Sequence, residues 1–119
     1  MFEFIGAISF YSIDLANDCI IITYDKPIGD DQSLENWTLC HQNDEQPEIV
    51  YQFPTSSTIK PRQTIRILSK NSPQSLRIEN DVLFADQIET WGQGQLMTTR
   101  LIDKNNQEKA KIVQSRLPT

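Results

Sequence analysis

Glu48-Ile49-Val50-Tyr51-Gln52-Phe53-Pro54 sets the apolar Ile49, Tyr51 and Phe53 in alternation with the polar Glu48 and Gln52, then stops at proline. A period of two marks a strand with one buried face, and proline ends it because it has no N–H to give a ladder. The same pattern recurs in both directions. Toward the N-terminus, Trp37 and Leu39 begin one strand, and the β-branched run of Cys19 to Tyr24 forms another; the turn-rich Asp25 to Asp31 separates the two. At the start of the chain Phe2, Phe4, Ile8 and Phe10 share one parity, and Glu3, Ser9 and Tyr11 take the other. Toward the C-terminus, Ser56, Ser57 and Pro61 carry the chain round to Ile65 and Ile67, and further strands are predicted at Val82 to Ala85, Met97 to Ile102 and Lys109 to Val113. Lys104-Asn105-Asn106 reads as a hairpin turn, since asparagine tolerates left-handed backbone, and Ser69 to Asp81 is the longest predicted loop. No window holds apolar residues at helical spacing and no heptad persists, so a coiled-coil rod would lie outside this chain. Eight or so short strands punctuated by turns point to a β-sandwich.

The 119 residues suit one domain spanning 1–119. Hydrophobic residues make up 38% and charged residues 23%, a balance that supports a folded core. Sixteen acidic against 11 basic residues give a formal charge of −5, which repels phosphate backbones and anionic lipid. Direct nucleic-acid binding is therefore not expected, and no apolar stretch reaches the roughly 18 residues that membrane insertion requires. The opening segment lacks a basic start and carries Glu3 and Asp14, which disfavours a signal peptide. Asn36-Trp37-Thr38 fits the N-glycosylation pattern, but without secretion that match has no consequence. Cys19 and Cys40 sit in apolar runs rather than in a Cys-x-x-Cys pair, and read as small buried hydrophobes carrying free thiols.

Catalytic and metal-binding patterns are missing from the sequence. His41 is the only histidine, and Leu39-Cys40-His41-Gln42 reads as the exposed end of a strand, with Cys40 and His41 on opposite faces and unable to pair. Asp30-Asp31 with Glu35 lacks the spacing of a calcium loop and reads as a solvated turn. Trp91-Gly92-Gln93-Gly94 opens no helix, so its glycines are assigned to a tight turn beside a buried indole rather than to phosphate binding. Lys60, Arg62 and Arg66 form the one modest basic concentration, with Arg66 on a solvent face. No catalytic residue, cofactor site or metal site follows, and no binding residue is assigned.

Several segments, taken in order, resemble a known family. Gly6 and its alternating strand, Asp30 to Trp37, Tyr51-Gln52-Phe53-Pro54, Ile59 to Gln63, Thr90 to Gly94, Leu101-Ile102-Asp103 and Gln107 to Ala110 together resemble the lamin tail domain of intermediate filament proteins. The resemblance runs from about Gly6 to Val113. It implies an all-β, immunoglobulin-like β-sandwich of about eight or nine short strands, without catalytic function. It also implies partners among filament, lamina or chromatin-associated proteins, and a place in the nuclear lamina or, as the alternative, in cytoplasmic filaments. This sequence departs from the family pattern at some positions. Arg62 stands in a turn where glycine is common; Gln52, Thr55 and Ser56 stand where vertebrate A-type lamins are basic; and Thr98 replaces an arginine, with Arg100 nearby on the same parity. A nuclear lamin of a divergent lineage and an invertebrate cytoplasmic filament protein both fit, and the rival from another class is a secreted adhesion or ligand-binding sandwich.

Overall fold

A computed structural model describes residues 8–116 and shows an all-β sandwich. One sheet has the order β1 (Ile8–Asp14), β2 (Cys19–Tyr24), β7 (Thr64–Ser69), β8 (Val82–Ala85). The facing sheet runs β10 (Glu108–Ser115), β9 (Leu96–Ile102), β4 (Thr38–Asn43), β5 (Ile49–Gln52). Two short strands, β3 (Gln32–Ser33) and β6 (Thr58–Ile59), pair separately. At two residues each they are too brief to show a period, which is why the described residues hold ten strands where the alternation alone suggests eight or so. Every pairing is antiparallel except β7 with β8. Phe2, Phe4 and Gly6 lie outside the described residues.

The interior is filled from alternate positions of both sheets. Ile20, Ile22, Ile65 and Ile67 face Leu39, Tyr51, Phe53 and Leu101, with Trp37 and Trp91 buried at 5% and 1% exposure. Tyr11 is the extra residue of a bulge in β1, where Phe10 pairs with Ile22 and Ser12 with Ile21. The bulge reverses the parity, so Ile8 and Ile13 both reach the core although they are an odd number of residues apart.

The run Cys19–Ile22 is continuous because β2 is buried on both faces. Ile20 and Ile22 point inward, while Cys19 and Ile21 join Leu68 in a second cluster on the outer face. The predicted long loop covers that cluster. It contains a 3₁₀ turn, Gln74–Leu76, and Leu76 packs down on the outer face beside Val82.

Candidate functional site

The structure overturns the expectation that His41 ends a strand in solvent: its side chain is fully buried. Trp37, Leu39, His41 and Asn43 share the core-facing parity of the β4 segment, and the ladder to β9 continues through Asn43, so the strand extends past His41 rather than ending there. The imidazole Nδ1 lies 2.8 Å from Thr99 Oγ1, the ring meets the Trp91 indole edge-on at 6.1 Å, and Nε2 is buried without a hydrogen-bond partner among the described residues. Burial holds its pKa below the usual histidine value. Cys40 faces the other way, as alternation requires. Arg100 and Val50 are its cross-strand neighbours on the outer face, and burial is the main cause of its raised pKa. His41 and Cys40 thus form no nucleophile–base pair.

The residues around Trp91 form the most developed polar arrangement among the described residues. The Trp91 backbone N–H donates to Asp18 Oδ1 (3.1 Å), its indole Nε1–H donates to the Ile67 carbonyl (3.2 Å), and its own carbonyl accepts from Asn43 Nδ2 (2.8 Å). Asp18 also accepts from Ser69 Oγ at 2.5 Å, and its carbonyl accepts from Ser72 Oγ at 2.7 Å. One carboxylate therefore ties the β1–β2 turn to the end of β7 and to the Trp91 loop. Gly92 follows with φ +70°, and a Cβ there would stand 3.0 Å from Asn43 Nδ2, so the glycine expected beside a buried indole meets both demands. Asp18, Asn43, Ser69 and Ser72 carried no signal as separate residues, because the chain brings them together only through tertiary contacts. These bonds join separate segments of the fold, and Asn43 Oδ1 is buried without a hydrogen-bond partner among the described residues.

Three arginines of the described residues make ion pairs. Arg66 meets Glu79 at 3.2 Å, Arg77 meets Asp86 at 3.0 Å, and Arg100 meets Glu48 at 2.8 Å and Glu108 at 3.9 Å. Arg100 thus makes ion pairs near the position where the lamin-type arginine is replaced by Thr98. Of the sequence's basic concentration, Arg66 is paired, while Lys60 and Arg62 remain exposed. Asp30, Asp31 and Glu35 are exposed in turns, and Gln52, Thr55 and Ser56 are exposed and uncharged. Cys19 and Cys40 are buried free thiols on the outer faces of opposite sheets, an arrangement that excludes a bridge between them. Arg62 has φ +68°, the left-handed conformation that the family's glycine would adopt freely, and its N–H donates to the Tyr24 carbonyl at 2.8 Å.

The sandwich is closed along one side and open along the other. β1 and β10 approach each other, whereas β5 and β8 stand apart across a cavity of about 290 Å³ lined by both edges.

No family model matches the chain. Over 90 residues, 76% of its length, it is 31% identical to a muscle cell intermediate filament protein of Acanthocheilonema viteae and equally to one of Onchocerca volvulus. Its homologues are invertebrate intermediate filament proteins. Intermediate filament protein B of Ascaris suum is 30% identical over 89 residues. The match spans 21%, 19% and 15% of these three filament proteins, so the chain corresponds to about a fifth or less of the curated relatives it matches.

Proposed function

We propose that the chain is one lamin-tail-type domain, residues 1–119, of an invertebrate-type intermediate filament protein, and that it is a non-enzymatic structural and docking module. The coiled-coil rod that assembles the filament lies outside this chain. The observation that carries the reading is the match to filament proteins over three quarters of a chain that folds as a sandwich, not as a rod. Burial of the one histidine inside that sandwich agrees with a structural role. The match to proteins described as muscle cell filament proteins favours a filament in the cytoplasm. The nuclear lamina remains the second reading, supported by the Asn-Trp, Tyr-x-Phe-Pro and Trp-Gly-x-Gly segments that resemble lamin tails. The secreted reading loses its cysteine pair, since Cys19 and Cys40 face away from each other across the sandwich.

The decisive experiment is the full-length transcript, combined with in vitro assembly of its purified product. A heptad rod upstream and filaments by electron microscopy are expected; a product without heptads would sink the proposal. A C-terminal Cys-a-a-X box together with a basic nuclear localisation run would move the protein to the lamina. The domain binds other proteins and not duplex DNA, because an acidic surface whose Arg66 is already paired releases few counterions. Saturable binding of a labelled duplex tighter than roughly 10⁻⁶ M near physiological salt would contradict that statement.

A further inference from the structure

Two tight turns meet at the end of β4 opposite Asn43 and the Trp91 clasp. The first, Leu34 to Trp37, is closed by the Trp37 N–H donating to the Leu34 carbonyl at 3.0 Å, with Asn36 in the left-handed conformation at φ +64°. The second is the hairpin turn between β9 and β10. Its Asp103 carbonyl accepts from the Asn106 N–H at 3.0 Å, and Asp103 Oδ1 accepts from the Asn105 and Gln107 N–H groups at 2.9 Å each. Between the turns lies a cavity of about 180 Å³ lined by Gln32, Ser33, Glu35, Asn36, Trp37 and Lys104.

The two tryptophans differ here. A buried indole ordinarily finds an acceptor for its N–H, and Trp91 has one in the Ile67 carbonyl. Trp37 is only 5% exposed, yet its Nε1–H has no hydrogen-bond partner among the described residues and is not sealed from solvent; the cavity that Trp37 lines is its outlet. Lys104 makes no ion pair among the described residues. Ser33 Oγ accepts the Glu35 N–H at 3.2 Å, which leaves its own proton to donate, and Asn36 accepts from Gln52 Nε2 through Oδ1 at 3.4 Å, which leaves its amide N–H groups. The unpaired groups are thus mainly donors, and Glu35 supplies the one carboxylate of the lining. Such a set calls for an acceptor-rich ligand. The volume falls below the roughly 300–1,000 Å³ of sites for whole small molecules, so it suits the head group of a single side chain. One lysine beside one glutamate also suits a single negative charge better than a phosphate carrying nearly two.

We propose that this cavity receives the carboxylate of an aspartate or glutamate side chain of a partner protein, held by the Trp37 Nε1–H, the Lys104 ammonium and the Ser33 hydroxyl. The net charge of −5 exerts no long-range pull on an acid, so binding depends on these local donors. The inference rests on the docking role proposed above and deepens it by naming a site and a ligand class. Filament assembly by the full-length product tests that role separately, and failure of this site would leave it unaffected.

With two tryptophans in the chain, an ¹H–¹⁵N spectrum holds two indole signals, and Trp91, bonded inside the core, is the internal reference. The test titrates the 119-residue chain with the capped peptide acetyl-Gly-Glu-Gly-amide at constant ionic strength, beside its glutamine and phosphoserine counterparts and sodium acetate. The glutamate peptide should move the Trp37 indole proton downfield to saturation and leave Trp91 in place, with a Kd in roughly the millimolar range expected of one charge-assisted contact. The glutamine peptide should bind about fivefold more weakly or worse, and phosphoserine and acetate should also bind more weakly than glutamate. Lys104→Gln should weaken the glutamate peptide about threefold or more while an unchanged Trp91 signal reports an intact fold, and Glu35→Gln should tighten it by removing a like charge. An unmoved Trp37 signal, equal affinity for the glutamine peptide, or a response unchanged by Lys104→Gln would overturn the proposal. So would phosphoserine or acetate binding as tightly as the glutamate peptide, because either would identify a different ligand.

Discussion

Replacing Trp91 tests whether the clasp at the end of the sandwich holds the fold together. The indole is 1% exposed, packs in the main core, meets His41 edge-on, and donates Nε1–H to the Ile67 carbonyl at 3.2 Å. Truncating a buried aromatic to alanine costs about 3–5 kcal/mol through lost transfer energy and the cavity left behind. Orphaning a buried carbonyl adds about 1–3 kcal/mol. Trp91→Ala should therefore lose roughly 4 kcal/mol or more, a large part of the 5–15 kcal/mol expected for a domain. Trp91→Phe keeps most of the packing and loses the donor, so its cost should fall at about 1–3 kcal/mol, largely the orphaned carbonyl. Urea unfolding followed by far-ultraviolet circular dichroism measures both, with Trp37 fluorescence as a second probe. With a slope of about 1–3 kcal/mol per molar urea, the alanine midpoint should drop by roughly 2 M. The reasoning fails if Trp91→Ala stays within about 1 kcal/mol of the parent, or if phenylalanine is as damaging as alanine.

Three further outcomes follow from the same structure. Because burial depresses the His41 pKa in the folded state only, the unfolded chain takes up the proton first as pH falls below about 6.5. Stability should therefore decline on acidification, and His41→Gln should flatten the part of the pH–stability curve between pH 7 and 5.5; an unchanged slope would argue against a buried neutral imidazole. Burial pushes the Cys19 thiol up to about 11 and raises Cys40 as well, so a maleimide at pH 8 should label neither quickly in the native state and both in urea. Intact mass should be the same with and without reductant. Arg62→Gly relieves a left-handed residue, a strain of about 1–2 kcal/mol, against an entropic cost for glycine of about 0.5–1 kcal/mol. A thermal melt should show equal or slightly higher stability, and a loss above about 1 kcal/mol would mean that the Arg62 side chain contributes more than its exposure suggests.

Periodicity alone was enough to reveal the strands whose burial is one-sided. Ile49 to Phe53 alternates because one face meets the core and the other is exposed, and that requirement is written into consecutive residues. Trp91, beside its glycine turn, reads as buried for a similar local reason: it has a large area to hide and a backbone free to place it. Other features depend on what the neighbouring chain segment does. The bulge at Tyr11 is set by pairing with β2, and the double burial of Cys19–Ile22 exists because Leu76 folds over the outer face. The expectation for His41 fails since a polar residue near a strand end suggests solvent, whereas Thr99 and Trp91, fifty or more residues away in sequence, supply its surroundings. The same holds for the clasp centred on Asp18 and for the open groove between β5 and β8. A hydrogen bond across the core or a gap between two sheets is a relation between distant segments, so only the tertiary structure decides it.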